Sequence, residues 1–381
     1  MSRQLKITFM TIMTIALGCG FLHHVVPPAQ LNFERLHIFL FNLCSGGTLL
    51  VYFTENRRGL SKKAQLFLLL SLAFALCSFA GWYIPAMIVP LVLSVIIEQV
   101  RVAHFGSLIP IGLFSAKEDV SRKFHQASLL CLSIGLALSS PVILNDIYGH
   151  WFTLEKLKLD TFFLGFSFPL SLISMSVIFS LMRQHEMQIT MHIKEALFWT
   201  INIGVIVFFL FILARWFVPQ VMIATTLFVA VTLVLYLYYH QGIRLQQKAF
   251  LTSGILFLLV TSITGIIYIL VAFSADYDPQ KTLPLLRLHA FTALYGWNLS
   301  GLAVISRHGD FPIQLHSQKV IILHWLTVLI LCPLGYFFAP FAVLAVLFYC
   351  WLLHTLLFNQ GPVDNRLVSM EDNVLGSLMK Q

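Results

Sequence analysis

Twelve apolar stretches, each about as long as a helix needs to cross a bilayer and nearly free of charge, set the terms on which this chain folds. A helix of roughly 18–25 residues covers a hydrocarbon core about 30 Å thick. The stretches run approximately over 5–27, 36–54, 64–82, 84–100, 125–145, 160–182, 195–214, 217–239, 249–273, 287–306, 319–338 and 340–358. In a chain that is 58% hydrophobic and only 10% charged, one soluble core cannot hold so much apolar surface, so the bilayer must act as its solvent. The expected fold class is all-α, a polytopic membrane helix bundle of about 12 transmembrane helices. Residues 1–358 would form one membrane domain and 359–381 a cytoplasmic tail, because the loop around 101–124 and the tail are too short to make a second domain. Three short connections could be misread as kinks within one long span: Trp82-Tyr83-Ile84-Pro85, Phe217-Val218-Pro219 and Phe338-Ala339-Pro340.

Charge gives an independent check, since Lys and Arg collect in loops that stay in the cytoplasm. With both termini inside, 18 of the 24 Lys and Arg fall on the inner side and 6 on the outer: Arg35, Lys156, Lys158, Arg215, Lys281 and Arg287. The net charge of +8 therefore reads as a topology signal rather than as a nucleic-acid footprint. The first stretch has no small-residue cleavage site before His23-His24 and is followed by Pro27-Pro28, so it reads as a retained span. Six cysteines, Cys19, Cys44, Cys77, Cys131, Cys332 and Cys350, are scattered through the spans without a Cys-x-x-Cys pair and read as small buried hydrophobes.

Ionisable side chains within spans are costly and mark candidate sites. His104, His185, His192, His240, His308 and His316 fall in or beside inner loops and His150 in an outer loop, where a solvated histidine is the simple expectation. Near the outer face stand His23, His24, His37, Asp160 and His289. Near the inner face stand Glu98, His125, His324 and His354. Each of these is also compatible with an interfacial side chain bonded to a backbone carbonyl.

Local sequence singles out two of them. Around the second span the chain reads Arg35-Leu36-His37-Ile38-Phe39-Leu40-Phe41-Asn42-Leu43-Cys44-Ser45-Gly46-Gly47, and the tenth reads His289-Ala290-Phe291-Thr292-Ala293-Leu294-Tyr295-Gly296-Trp297. The first resembles the second helix of subunit I in the haem-copper oxidase superfamily, particularly its C-type branch, in which a Leu-His near the outer face precedes a Gly-Gly. The second resembles the family's His-x-His followed by Gly-Trp. Both occupy the family's helix numbers and membrane side in a twelve-helix chain. The resemblance implies that His37 and His289 are cofactor-binding residues, ligands of the iron of a b-type haem in the outer leaflet.

The sixth and seventh spans resemble the family only faintly, through Gly165 and Phe198-Trp199. Where the family has its copper-binding histidines this chain has Asp160 and Ala214-Arg215-Trp216, so no copper centre and no reduction of oxygen to water are expected. Phe291 stands in place of the second histidine of His-x-His, and residues two apart on a helix point roughly 200° apart. Three outcomes follow: one haem held by His37 and His289 in an adapted bundle, a five-coordinate haem on one histidine, or a scaffold without haem. The first suits electron transfer in a respiratory chain, and the second suits sensing of NO, O2 or CO, as in the nitric-oxide-response membrane proteins of the same superfamily. The partners expected are the lipid bilayer and other membrane proteins, in a bacterial plasma (inner) membrane. The competing reading is a transporter, or an assembly factor for a membrane metalloenzyme, without haem. An intramembrane hydrolase is a third class, and the sequence has no His-Glu-x-x-His motif to support it.

Overall fold

The computed structural model describes residues 1–27, 32–57, 59–152, 157, 161, 163–183, 188–308, 310, 315 and 317–361. Among them there is no strand, only an isolated bridge between Met182 and Gly242. Eleven helices are long and apolar enough to cross a membrane. We label these α1 (Arg3–His24), α2 (Phe33–Glu55), α3 (Lys62–Phe79), α4 (Tyr83–Phe105), α5 (Val120–Gly149), α6 (Phe163–Ser180), α7 (Gln188–Ala214), α8 (Phe217–Gln241), α9 (Gln247–Ala272), α11 (Gln318–Phe337) and α12 (Ala339–Phe358). The tenth expected span, α10, is a continuous helix over 279–306, longer than expected at its start but not among the eleven by composition. Its polarity has a structural reason. Thr292, Asn298, Ser300 and Ser306 are all buried; Thr292 and Asn298 bond side chains of α9 and α6, while Ser300 and Ser306 bond carbonyls of their own helix.

The three short connections are genuine breaks. Gly81 adopts a left-handed conformation between α3 and α4, Arg215 does so between α7 and α8, and Phe338 is extended between α11 and α12. In each case a proline follows within the first turn of the next helix, where its missing N–H costs nothing.

Helices α2 and α6 form the centre, with 83% and 78% of their apolar windows buried, whereas α3, α7, α8 and α9 keep most of their surface outward. The centre is tight because small residues let backbones approach. Gly135 of α5 and Gly165 of α6 pack backbone to backbone, so that a Cβ on either would overlap the other residue. Gly301 of α10 likewise has no room for a side chain beside Ser174 of α6.

Buried charges tie the helix ends. At the end where α1 begins, Arg307 donates to the carbonyls of Leu356 (2.8 Å) and Asn359 (3.2 Å) and pairs with Asp310, which also pairs with Lys6. Lys123 of α5 is buried and donates to Glu195 of α7 at 2.6 Å. Glu98, a candidate polar residue of α4, is engaged by Arg101, whose guanidinium also reaches the carbonyls of Ser107 and Leu108. At the opposite end Arg287 of α10 pairs with Glu34 of α2 (2.7 Å) and lies over the ring of Tyr336 of α11 (4.1 Å).

Candidate functional site

Five helices carry π-helical turns among the described residues: Phe39–Gly47 in α2, Asn145–Gly149 at the end of α5, Phe163–Ser167 at the start of α6, Thr292–Asn298 in α10 and Leu326–Leu331 in α11. Such turns are uncommon and re-aim side chains and carbonyls, often at functional sites. The π-helical turns of α6 and α10 face one another across a polar seam. Trp297 Nε1–H donates to Ser171 Oγ (2.9 Å), Ser171 Oγ–H donates to Asn298 Oδ1 (3.0 Å), and Asn298 Nδ2–H donates to Ser167 Oγ (3.0 Å). Trp297 is thus fixed by its polar tip while its ring packs.

These side chains line a cavity of about 220 Å³ bounded by α6, α7, α8, α9 and α10. Phe163, Phe168, Phe208 and Phe209 make much of the apolar wall, and His289 lies on the polar side near Thr261. The imidazole is held by α9. Its Nδ1 lies 2.9 Å from the carbonyl oxygen of Thr261 and 3.3 Å from Thr264 Oγ1. A carbonyl only accepts, so Nδ1 carries the proton and the lone pair is left on Nε2. Gly265 makes room for the ring, since a Cβ there would come within 3.1 Å of it. Among the described residues Nε2 has no hydrogen-bond partner.

His37 sits on a different side of α10. Its ring rests against Gly20 of α1, where a Cβ would come within 3.5 Å, and stands 6.4 Å from the ring of Tyr295. Phe291 shares this side, packed 5.9 Å from Phe21 of α1 and 6.2 Å from Tyr295. Helix α10 therefore carries two stripes. His289, Ala293 and Trp297 look onto the cavity, and Phe291 and Tyr295 look onto α1 and α2. The two sequence-singled histidines meet different neighbours, His289 those of α9 and His37 those of α1 and Tyr295. His289 has a fixed tautomer, an Nε2 without a partner among the described residues and an adjoining cavity, features shared by histidines that ligate metals.

The other candidates separate cleanly. His23 Nε2 bonds the carbonyl of Tyr336 and His24 Nε2 that of Gly335, each at 2.8 Å, so both serve to dock the end of α1 on α11. His125 bonds Thr54 Oγ1 at 2.8 Å and lies 5.2 Å, ring to ring, from His104. His354 is exposed and stacks on Phe358. Asp160, His185 and His316 lie outside the described residues, as does the tail from 362 onward. Arg215 is the left-handed residue of the α7–α8 turn. Among the described residues no three His, Cys, Asp or Glu side chains gather closely enough to hold a metal ion.

His308 departs from the sequence expectation, whereas His324 bonds a backbone carbonyl, that of Tyr295, as the simple reading of an intramembrane histidine has it. His308 is buried rather than solvated, bonded through Nδ1 to the carbonyl of Ile305 and packed on Tyr52 and Phe53. His324 is fully buried between Phe250 and Phe257. Ser167, Ser171 and Asn298 are further site residues that sequence reasoning passed over. The available signal was the clustering of Ser, Asn and Trp in otherwise apolar spans.

Comparison with protein-family models, with curated proteins and with solved structures finds no match to this chain. The site therefore stands on its own geometry.

Proposed function

We propose that this protein is a helical membrane protein that binds haem through one axial histidine, His289, and uses the open face for a small gas such as NO, O2 or CO, without reducing oxygen. The observation that carries the reading is the state of His289. Its Nδ1–H is donated to the Thr261 carbonyl while Nε2 is left without a partner beside an apolar cavity. Histidines that ligate metals almost always donate their other N–H in this way, which fixes ring orientation and raises basicity. When bound, the haem would supply an iron able to coordinate a diatomic gas.

The remaining work falls to the chain. Phe163, Phe168, Phe208 and Phe209 keep water from the cavity, and the Trp297–Ser171–Asn298–Ser167 chain holds its polar wall rigid. A macrocycle needs more room than about 220 Å³. The walls with least packing to displace are α7 and α8, whose windows are 22% and 28% buried. The separation of His37 from His289 by α10 favours this reading over a two-histidine electron carrier.

The test is a reduced-minus-oxidised absorption spectrum of the purified protein with haem supplied, with and without CO on the reduced form. The expected result is a Soret band that shifts with CO, is lost in His289→Ala and survives in His37→Ala. Reduced bands insensitive to CO and abolished by either substitution would restore the two-histidine arrangement. No haem uptake at all would leave the transporter or assembly-factor reading.

A further inference from the structure

On the side of α10 away from the cavity, three polar groups meet without satisfying one another. Tyr295 of α10 and Tyr349 of α12 are both fully buried, with ring centroids 5.2 Å apart in an edge-on arrangement. The ring of His37 of α2 stacks near that of Tyr295, with centroids 6.4 Å apart. The hydroxyls of Tyr295 and Tyr349 and the Nδ1 of His37 are each buried and lack a hydrogen-bond partner. Around them the packing is apolar, with Phe41 edge-on 4.9 Å from Tyr295 and Cys332 and Cys19 buried in the same core. A thiol is a poor partner for a phenol.

Leaving one buried hydroxyl unpaired costs about 1–3 kcal/mol. Two hydroxyls and an imidazole nitrogen in ring contact, contributed by three helices, are therefore a place where something small and polar is held. Phenylalanine would fill either tyrosine position without the penalty, and the same interior uses phenylalanine freely, as at Phe9 and Phe41. A buried water typically makes two to four bonds to groups of this kind.

We propose that His37, Tyr295 and Tyr349 form a buried hydration site, holding ordered water between α2, α10 and α12. Water donates to His37 Nδ1 when the proton is on Nε2, and both tyrosine hydroxyls donate to or accept from it. The assignment of His37 to water does not depend on haem binding at His289, since the two lie on different sides of α10.

Radiolytic hydroxyl labelling of the full chain in detergent tests this directly, because ordered internal water generates radicals in place and marks neighbouring side chains that bulk solvent never reaches. Tyr295 and Tyr349 should be oxidised several-fold faster than Tyr52, a phenol of the same reactivity buried towards the far end of α2. Labelling of both tyrosines at the level of Tyr52 would overturn the proposal. A second measurement separates a held water from empty space. If the hydroxyls bind water, Tyr295→Phe and Tyr349→Phe lower the midpoint of thermal unfolding. If they are simply unpaired, removing them relieves a penalty, and an unchanged or raised midpoint in both variants counts against the site.

Discussion

The Nε2–H of His324 donates to the backbone carbonyl of Tyr295 at 2.7 Å, across the interface between α11 and α10. That carbonyl lies in the π-helical turn over Thr292–Asn298, where the regular ladder is disturbed and an acceptor needs a partner from outside the helix.

Replacing His324 with Phe keeps the packing between Phe250 and Phe257 but leaves the Tyr295 carbonyl without its donor. The expected loss is about 1–3 kcal/mol of stability. His324→Gln, which retains an N–H donor, should recover part of it. Chemical or thermal unfolding in detergent measures both, and equal stability of the Phe variant and the parent would show that the bond contributes nothing.

Gly135→Ala and Gly18→Ala should differ in sign. A Cβ at Gly135 falls on the Gly165 backbone, which cannot rotate away, so the α5–α6 contact must open at a cost of roughly 1–3 kcal/mol. A Cβ at Gly18 of α1 meets nothing within 4 Å, and Ala there should stabilise the helix by about 0.5–1 kcal/mol. The pair is read by comparing unfolding midpoints side by side.

The end of the bundle at Arg307 should be sensitive to acid in two steps. Burial pushes the His308 imidazole below its ordinary value of 6.5, despite its bond to the Ile305 carbonyl, so protonation favours the unfolded chain and stability starts to fall as pH drops below about 6.5. Burial pushes the Asp310 carboxyl up, but Lys6 and the amino-terminal ammonium more than offset it. Its net position is below the usual 3.8, and the stability it contributes above that pH is lost as pH falls through the lower value. The unfolding midpoint followed against pH should therefore lose its first step in His308→Phe and its second in Asp310→Asn. Unaltered profiles in both variants would show that neither group is linked to folding.

Spans were legible because hydropathy is a local property. The expectation of a span over 36–54 corresponds to α2 at Phe33–Glu55, and 340–358 to α12 at Ala339–Phe358. Helix α10 shows the limit of that signal: Arg287, His289, Thr292, Tyr295 and Asn298 dilute its apolarity because the bundle, and not lipid, is its solvent. His37 and His289 stood out by local pattern, and the sequence already placed Phe291 about half a turn away from His289. Which neighbour each side chain meets was not readable, since Glu34 and Arg287 are 253 residues apart and Thr54 and His125 are 71.

The sequence by itself determined an all-helical chain with many membrane-length apolar segments, where those segments break, and which polar residues they carry inward. Only the tertiary structure decided that His289 turns to α9 and a cavity while His37 turns to Tyr295, that His308 and His324 are buried, and that five helices take π-helical turns. The reason is physical: transfer of an apolar segment out of water depends on that segment alone, whereas the direction of a side chain on a packed helix is set by close approach of neighbours distant in sequence, as at Gly135 and Gly165.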